Sequence, residues 1–331
     1  MKIGFIGLGH MGTPMVKNLL QHQHDVTVYD LNPEAVTALV TQGAVAATTV
    51  QDVAVEADMV ITMLQNHDQV GSCCLGEQGV FSVLASNGGL FVDCSTVDVE
   101  ASRQLNRQAQ LASVTMLDAP VSGGVAAAES ATLTFMVGGV VEAFERAQAI
   151  LLQMGKAAIH VGDNGSGAAA KICNNLILAS SMIAVSESFV LAESLGLTVE
   201  KLFEVCSQSS AQCWSLTQYC PAPGVLPQVP SSHEYRAGFT SQMMLKDLKL
   251  GQSSASSVDV QLPLAEQARL LYQQLVDQGG AARDFSSIIQ LLKGETVAGG
   301  ASTLESKLCS PGLSPDSDHR HNDKAGNDKV E

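Results

Sequence analysis

The chain has 331 residues, 46% hydrophobic and 15% charged, a globular composition that excludes a wholly disordered protein and leaves room for two domains. A formal net charge of −15 excludes a nucleic-acid binder, because neutralising phosphates needs a basic surface; an anionic substrate must then be held by a few local cations or backbone amides. No run approaches the about 20 apolar residues that crossing a bilayer requires. In chain order, Lys2 to Ile6 reads as a strand from the outset, so no leader segment and a cytoplasmic location are expected. Gly7-Leu8-Gly9-His10-Met11-Gly12 follows, and then a helical pattern through Leu20. This is G-x-G-x-x-G between strand and helix, the context in which it binds a dinucleotide. The first glycine makes the turn, the second admits the pyrophosphate to the backbone, and the third lets helix and strand pack closely. The phosphates would sit at the positive end of the helix.

A second strand, Asp25 to Tyr29, ends at Asp30, where a carboxylate can hydrogen-bond the adenosine ribose. Such a carboxylate repels the 2′-phosphate of NADP, and no arginine follows in Leu31-Asn32-Pro33-Glu34, so NAD is the expected cofactor. Without Asp30 the glycine run would be no more than a strand-to-helix turn. Helices at Pro33 to Gln42 and Val99 to Ala112 alternate with strands at Met59 to Met63, Leu90 to Asp93 and Thr115 to Leu117, which predicts a parallel, doubly wound sheet. Ligands of such sheets gather at the carboxyl ends of the strands. Leu64-Gln65-Asn66, Ser95-Thr96 and Asp118-Ala-Pro-Val-Ser-Gly-Gly124 fall there, with Leu64 and Thr96 placed toward the nicotinamide. Ser122, Gly123 and Gly124 offer a hydroxyl and exposed amides suited to a carboxylate; they would equally make a simple turn before a strand at Thr132 to Val137.

From Ser166 to Leu195 no proline occurs and Gly167 is the only glycine, which predicts a helix of about 30 residues, long enough to bridge domains. Lys171, Asn174, Asn175, Glu187 and Glu193 interrupt it, against a membrane span. Lys171 and Asn175 are one turn apart on one face. An ammonium among Ala, Ile and Leu either moves protons to and from a substrate oxygen or snorkels at the surface. Further helices are expected at Val199 to Cys206, Ser241 to Ser254, Leu264 to Gln278 and Phe285 to Leu292, with a proline-punctuated excursion at Pro221 to Pro230 that wraps a cleft. From Thr296 the chain becomes polar and glycine-rich, which predicts disorder. The eight cysteines include no C-x-x-C pair and read as reduced thiols; Cys206, Cys213 and Cys220 recur every seven residues, but without histidines at ligand spacing no metal is expected. His22 and His24 read as a solvated turn.

Taken together, Gly7-Leu-Gly-His-Met-Gly12, Asp118-Ala-Pro-Val-Ser-Gly-Gly124, Gly165-x-Gly-x-x-x-Lys171-x-x-Asn-Asn175 and Lys246-Asp247-Leu248 occur in the order and spacing of the β-hydroxyacid dehydrogenases. The chain resembles that family from Met1 to about Glu295. Lys171-Ile-Cys-Asn-Asn175, Gln208-Ser-Ser210 with Trp214, the Pro-x-Pro-Gly-Val run at 221–225 and Asp284-Phe-Ser-Ser287 resemble its branch acting on a short branched hydroxy acid. The resemblance implies an α/β fold: a Rossmann doubly wound domain at 1–163, and an all-α substrate and oligomerisation domain at 164–295 that includes the linking helix 166–195, with 296–331 a disordered tail. It implies a hydride transfer using NAD and a small hydroxy acid, no metal, no nucleic-acid or membrane partner, and assembly as a homodimer or homotetramer.

The family's roles carry over residue by residue. Lys171 would be the acid/base, and Ser122, Gly123, Gly124, Asn175 and Asp247 would hold the substrate. Gly7, Leu8, Gly9, His10, Met11, Gly12, Asp30, Leu64, Gln65, Thr96, Phe239 and Lys246 would hold the cofactor. Two departures stand out: His10 replaces the usual Asn and Gln65 a usual Pro. A more distant resemblance to 6-phosphogluconate dehydrogenases lacks their histidine and acid, since Asn174 and Leu178 stand there. Tartronate semialdehyde reduction is a chemically nearer alternative. A non-enzymatic NAD-binding scaffold is the alternative of another class, and the presence of Lys171 argues against it.

Overall fold

The computed structural model describes residues 1–295. The expectation of disorder at 296–331, and Cys309 with it, lies outside the described residues. In chain order the first part contains β1 (Lys2–Ile6), α1 (Gly12–Gln21), β2 (Asp25–Tyr29), α2 (Pro33–Val40), β3 (Val45–Ala46), β4 (Met59–Thr62), α3 (His67–Cys74), α4 (Val80–Asn87), β5 (Leu90–Asp93), α5 (Val99–Leu111) and β6 (Thr115–Asp118). Then come β7 (Val121–Ser122), α6 (Gly124–Glu129), β8 (Leu133–Gly138), α7 (Val141–Met154) and β9 (Gly155–Gly162). The helical part contains α8 (Ser166–Ser194), α9 (Val199–Ser207), α10 (Trp214–Thr217), α11 (Ser241–Ser257), α12 (Pro263–Leu275) and α13 (Ile288–Leu292).

The strands form one sheet in the order β3-β2-β1-β4-β5-β6-β8-β7, with β9 on β8. From β3 to β6 every pair is parallel, and β4 and β5 are buried along their whole length, as a sheet covered by helices on both faces requires. The expected parallel sheet is present from β3 to β6, and the pairing becomes mixed beyond it. There β8 runs antiparallel to both β6 and β7, and β9 then pairs parallel with β8. The intervening α6 has only six residues, too short for a parallel crossover, so the chain returns antiparallel; α7 with its 14 residues is long enough to carry β9 back parallel.

Side-chain caps set several helix starts. Asn32 accepts from Glu34 N, Asp98 from Glu100 N and Ala101 N, and Thr240 from Met243 N. Two expected helices are interrupted. The one read as Leu264 to Gln278 leaves the α-helical path after Leu275, where Gly279 turns at φ +92°. The one read as Phe285 to Leu292 opens as a single 3-10 turn, Phe285–Ser287, because Asp284 accepts from Ser286 N and holds the chain there. His24 is not simply solvated either: its ring bonds Gln153 Oε1 at 2.7 Å, tying the turn after α1 to α7.

By length and mean hydropathy, 1.6 in its most apolar window, α8 would pass as a membrane span. Its Ala179, Met182 and Ile183, however, pack into one core with Met244, Leu245 and Leu248 of α11, Tyr272 and Leu275 of α12, and Ile288 of α13. The start of α8 has no side-chain cap of its own. Asp118, at the end of β6, supplies one: its carboxylate accepts from Gly165 N at 2.7 Å and Ala168 N at 2.9 Å. Burial pushes the Asp118 carboxyl up to about 6 from 3.8, although the two amides favour its ionised form.

That shift has a defined sign. The folded state holds the Asp118 proton more tightly than the unfolded chain, so this contribution to stability is fully present below pH 3.8 and is lost as pH rises through about 6. Its full size is on the order of 3 kcal/mol. In Asp118→Asn, urea unfolding at pH 4 and pH 7 is expected to lose that difference while overall stability falls with the weakened cap. An unchanged pH dependence between wild type and variant would refute the assignment.

Candidate active site

The glycine loop fits a dinucleotide on geometry. Gly7 sits at φ +98°, a conformation for which glycine is suited, and a Cβ on Gly12 would lie 1.9 Å from the Gly7 carbonyl oxygen. Gly9 opens onto empty space, where no atom would meet a Cβ. Helix α1 has neither an acidic residue in its first turn nor a side-chain cap, so no side chain of its own competes with an anion there. Asp30 stands beside the loop: one carboxylate oxygen accepts from Leu8 N at 2.6 Å and the other from Asn32 N at 2.7 Å. His10 is exposed and Met11 half-buried at the same edge. The residues read from sequence for the phosphates and ribose are therefore gathered, and the space beside them is open.

At the ends of β4 and β5, Leu64 N donates to Ser95 Oγ at 2.9 Å, and Ser95 N donates to the buried Asp93, which also takes Thr62 Oγ1. Lys246 reaches these ends from α11. Its ammonium donates to Gln65 O at 2.5 Å and Thr96 O at 2.9 Å. Read from sequence as a cofactor ligand, Lys246 thus also staples α11 to the sheet. The Gln65 departure is benign in this respect, since the bond uses its carbonyl, while its N–H, which a proline would lack, donates to Gln69 Oε1.

Lys171 lies in the first part of α8 and is only 7% exposed, which rules out a snorkelling surface lysine. Among the described residues its ammonium makes no hydrogen bond or salt bridge. Burial lowers its pKa from 10.5; Asp247 pulls the other way and Lys246 adds to the lowering. Asn175, one turn on, donates from Nδ2 to Asp247 at 2.5 Å and accepts from Asn174 Nδ2 at 2.9 Å. Gly251, one turn after Asp247, lets α11 approach closely: a Cβ there would lie 2.8 Å from a Leu176 methyl. A buried ammonium and an oriented amide on α8 therefore meet a carboxylate from α11, an arrangement able to hold and move a proton at a hydroxyl oxygen.

The Ser122–Gly124 turn lies between β7 and α6. Gly123 and Gly124 take φ of +137° and +70°, and Ser122 is only partly covered. A Cβ on Gly124 would lie 3.3 Å from Gly238 O, so the turn abuts the strand of chain leading into Phe239. Phe239 meets Phe285 edge-on at 5.7 Å. Trp214, 47% exposed, stacks on Tyr219 at 4.8 Å.

A cavity of about 910 Å³ opens elsewhere, between Pro223 and Gly224 of the proline run and Tyr235, Arg236 and Arg283. The proline run therefore borders a cleft, and none of the residues read as functional lines it. Cys206, Cys213 and Cys220 pack in an apolar cluster around Phe189 and Leu216, consistent with a packing role. Sequence reasoning missed Asp118, Asp93, Tyr219 and the role of Asp284; the carboxylates at the ends of β5 and β6 were visible as strand-end acids, but their partners were not.

Residues 2–162 match the family described as NAD binding domain of 6-phosphogluconate dehydrogenase, and residues 165–292 that described as NAD-binding of NADP-dependent 3-hydroxyisobutyrate dehydrogenase. The chain is 43% identical over 295 residues to a 3-hydroxyisobutyrate dehydrogenase of Pseudomonas aeruginosa, covering 88% of this chain and 99% of the relative. It is 42% identical over 290 residues to an NAD-dependent L-serine dehydrogenase of the same organism, covering 88% and 97%. A solved 3-hydroxyisobutyrate dehydrogenase of Mycobacterium tuberculosis with L-serine superposes with a TM-score of 0.82 at 37% identity, covering 88% of this chain and 98% of that one.

Proposed function

This chain belongs to the 3-hydroxyisobutyrate dehydrogenase family of β-hydroxyacid dehydrogenases, NAD(P)-dependent oxidoreductases, and from that premise we propose that it oxidises 3-hydroxyisobutyrate to methylmalonate semialdehyde, a step of valine degradation, with NAD as the preferred cofactor. The observation that carries this reading is the buried Lys171 ammonium, electrostatically coupled to the Asp247 that Asn175 bonds.

In the proposed mechanism the glycine loop, Asp30, Leu64, Thr96 and Phe239 hold the dinucleotide, which when bound supplies the hydride acceptor. Ser122, Gly123 and Gly124 orient the substrate carboxylate through the hydroxyl and backbone amides. Lys171, neutral at the moment of reaction, takes the proton from the substrate's primary hydroxyl as the C–H bond breaks and the carbonyl forms. In the reverse direction the ammonium returns that proton. Asn175, fixed by Asp247, hydrogen-bonds the same oxygen and keeps it in line with Nζ. Burial of Lys171 is what makes the neutral amine accessible, because it disfavours the charged form.

L-serine is the second reading, favoured by the relative named for it and by the neighbouring structure solved with it. Tartronate semialdehyde reduction is a further alternative within the same chemistry. Initial rates of NADH or NADPH formation at alkaline pH from 3-hydroxyisobutyrate, L-serine, glycerate and 6-phosphogluconate separate them. The expected result is kcat/KM at least about ten-fold higher for 3-hydroxyisobutyrate than for any rival, and for NAD over NADP. Preference for L-serine or glycerate would keep Lys171 and move the substrate, and no turnover of any of them would return the chain to a non-enzymatic NAD-binding role.

A further inference from the structure

Asp284 is fully buried and carries more hydrogen bonds than a helix-start residue needs. One carboxylate oxygen accepts from Ser286 N at 3.0 Å and Ser286 Oγ at 2.7 Å, which accounts for the local turn. The other accepts from three donors that belong to different parts of the chain: Tyr219 Oη at 2.9 Å, Gly238 N at 3.0 Å and Phe239 N at 3.1 Å. The backbone reinforces the junction, with Phe285 N donating to Phe239 O at 2.9 Å and Asp284 N to Tyr235 O at 3.0 Å.

These donors adjoin residues read for the substrate and for the cofactor. Gly238 abuts Gly124, and Phe239 follows directly. Tyr219 carries Trp214 on one face, and its other neighbour Phe285, at 5.4 Å, meets Phe239 edge-on. Trp214, Tyr219, Phe285 and Phe239 thus form one aromatic ladder, and Tyr219, Phe239 and Leu178, the last less than a turn along α8 from Asn175, all pack against one core cluster. There is no slack at the centre: a Cβ on Gly238 would lie 2.8 Å from Tyr219 Oη.

We propose that Asp284 is a positioning residue that fixes the Gly238–Phe239 segment and the Tyr219–Trp214 pair as one rigid unit, so that the cofactor side and the substrate side of the site are set by a single buried carboxylate. The assignment of the two sides rests on the functional reading above. An asparagine cannot replace Asp284, because its amide offers one acceptor oxygen and turns an N–H₂ group toward donors that already point there. Tyr219→Phe removes one of the three donors and leaves the Gly238 and Phe239 bonds intact.

The test measures substrate KM, kcat and the dissociation constant of NADH, the last by fluorescence and independent of turnover, in wild type, Tyr219→Phe and Asp284→Asn. Tyr219→Phe is expected to raise the hydroxy-acid KM by about ten-fold with NADH binding unchanged. Asp284→Asn is expected to weaken NADH binding and raise KM together, by about ten-fold each. Asp284→Asn that retains the wild-type circular dichroism, KM and NADH affinity overturns the proposal, as does a Tyr219→Phe that weakens NADH as much as it weakens substrate. A loss of melting temperature alone, with both constants unchanged, also overturns it and leaves Asp284 a purely structural residue. Should Asp284→Asn fail to fold, the split expected of Tyr219→Phe still decides. Wild-type protein without turnover would instead defeat the functional reading, and the NADH arm would still judge Asp284.

Discussion

Lys171→Ala is expected to lower kcat for hydroxy-acid oxidation by about 10²- to 10⁴-fold, the usual worth of a positioned general base. Its affinity for NAD should stay within about three-fold of wild type, since the glycine loop and Asp30 lie on other elements. The pH dependence carries the sharper signature. Oxidation needs the neutral amine, so its rate should rise with pH through the folded pKa of Lys171, which burial places below 10.5. Reduction needs the ammonium and should fall through the same value. Lys171→Arg is the discriminating variant: it keeps the positive charge but not a proton that can leave near neutral pH, so it should bind substrate and NAD yet turn over as poorly as the alanine variant. Stopped-flow and steady-state rates over pH 6 to about 11 read all of this. Turnover retained in Lys171→Ala, or a pH profile unmoved by the loss of this lysine, would remove it from the chemistry.

Gly167→Ala is expected to have a large effect on the fold. A Cβ at Gly167 would lie 2.3 Å from Met136 O and 2.6 Å from Asp118 O, and both are backbone atoms of the sheet that cannot rotate aside. The start of α8 would have to lift off β6 and β8, stretching the Asp118 bonds to Gly165 N and Ala168 N and shifting Lys171, one turn further on. A loss of about 3 kcal/mol or more is expected, at the upper end of overpacking costs, seen as a fall of several degrees in melting temperature. Any soluble Gly167→Ala protein should also turn over poorly, because catalysis tolerates little displacement of Lys171 relative to the sheet that carries the glycine loop. A variant with wild-type melting temperature and kcat would show that the contact relaxes without moving the helix. Gly251→Ala is a useful contrast, since the Cβ there meets the flexible end of Leu176 and a milder loss is expected.

Much of the site was legible because its parts are local. The strand, glycine loop and helix occupy Lys2 to Gln21, and Asp30 closes the same βαβ unit, so pattern and spacing identify a dinucleotide site without any long-range contact. Lys171 and Asn175 share a helix face by periodicity alone, and the absence of proline marked α8 to within a residue of its observed end. The mixed edge of the sheet was not legible. Its direction depends on whether a short connection can cross over, and α7 and β9 carry no motif that announces them. Trp214 was singled out in sequence, but its stacking on Tyr219 needs a partner that only folding supplies.

What the amino-acid sequence determined by itself is the kind of chemistry: a dinucleotide loop with an acid after it, and a lysine and an amide one helical turn apart. Those features lie within short stretches where backbone geometry follows directly from residue type and spacing. Tertiary structure decided what makes the lysine useful. It buried Lys171, brought Asp247 to Asn175 across 72 residues, capped α8 with Asp118 across 47, joined Tyr219 to Asp284 across 65, and drew Lys246 to Gln65 across 181. Each depends on a donor and an acceptor whose meeting is set by packing of separate elements, and burial, which shifts the Lys171 and Asp118 proton affinities, is a property of the assembled core.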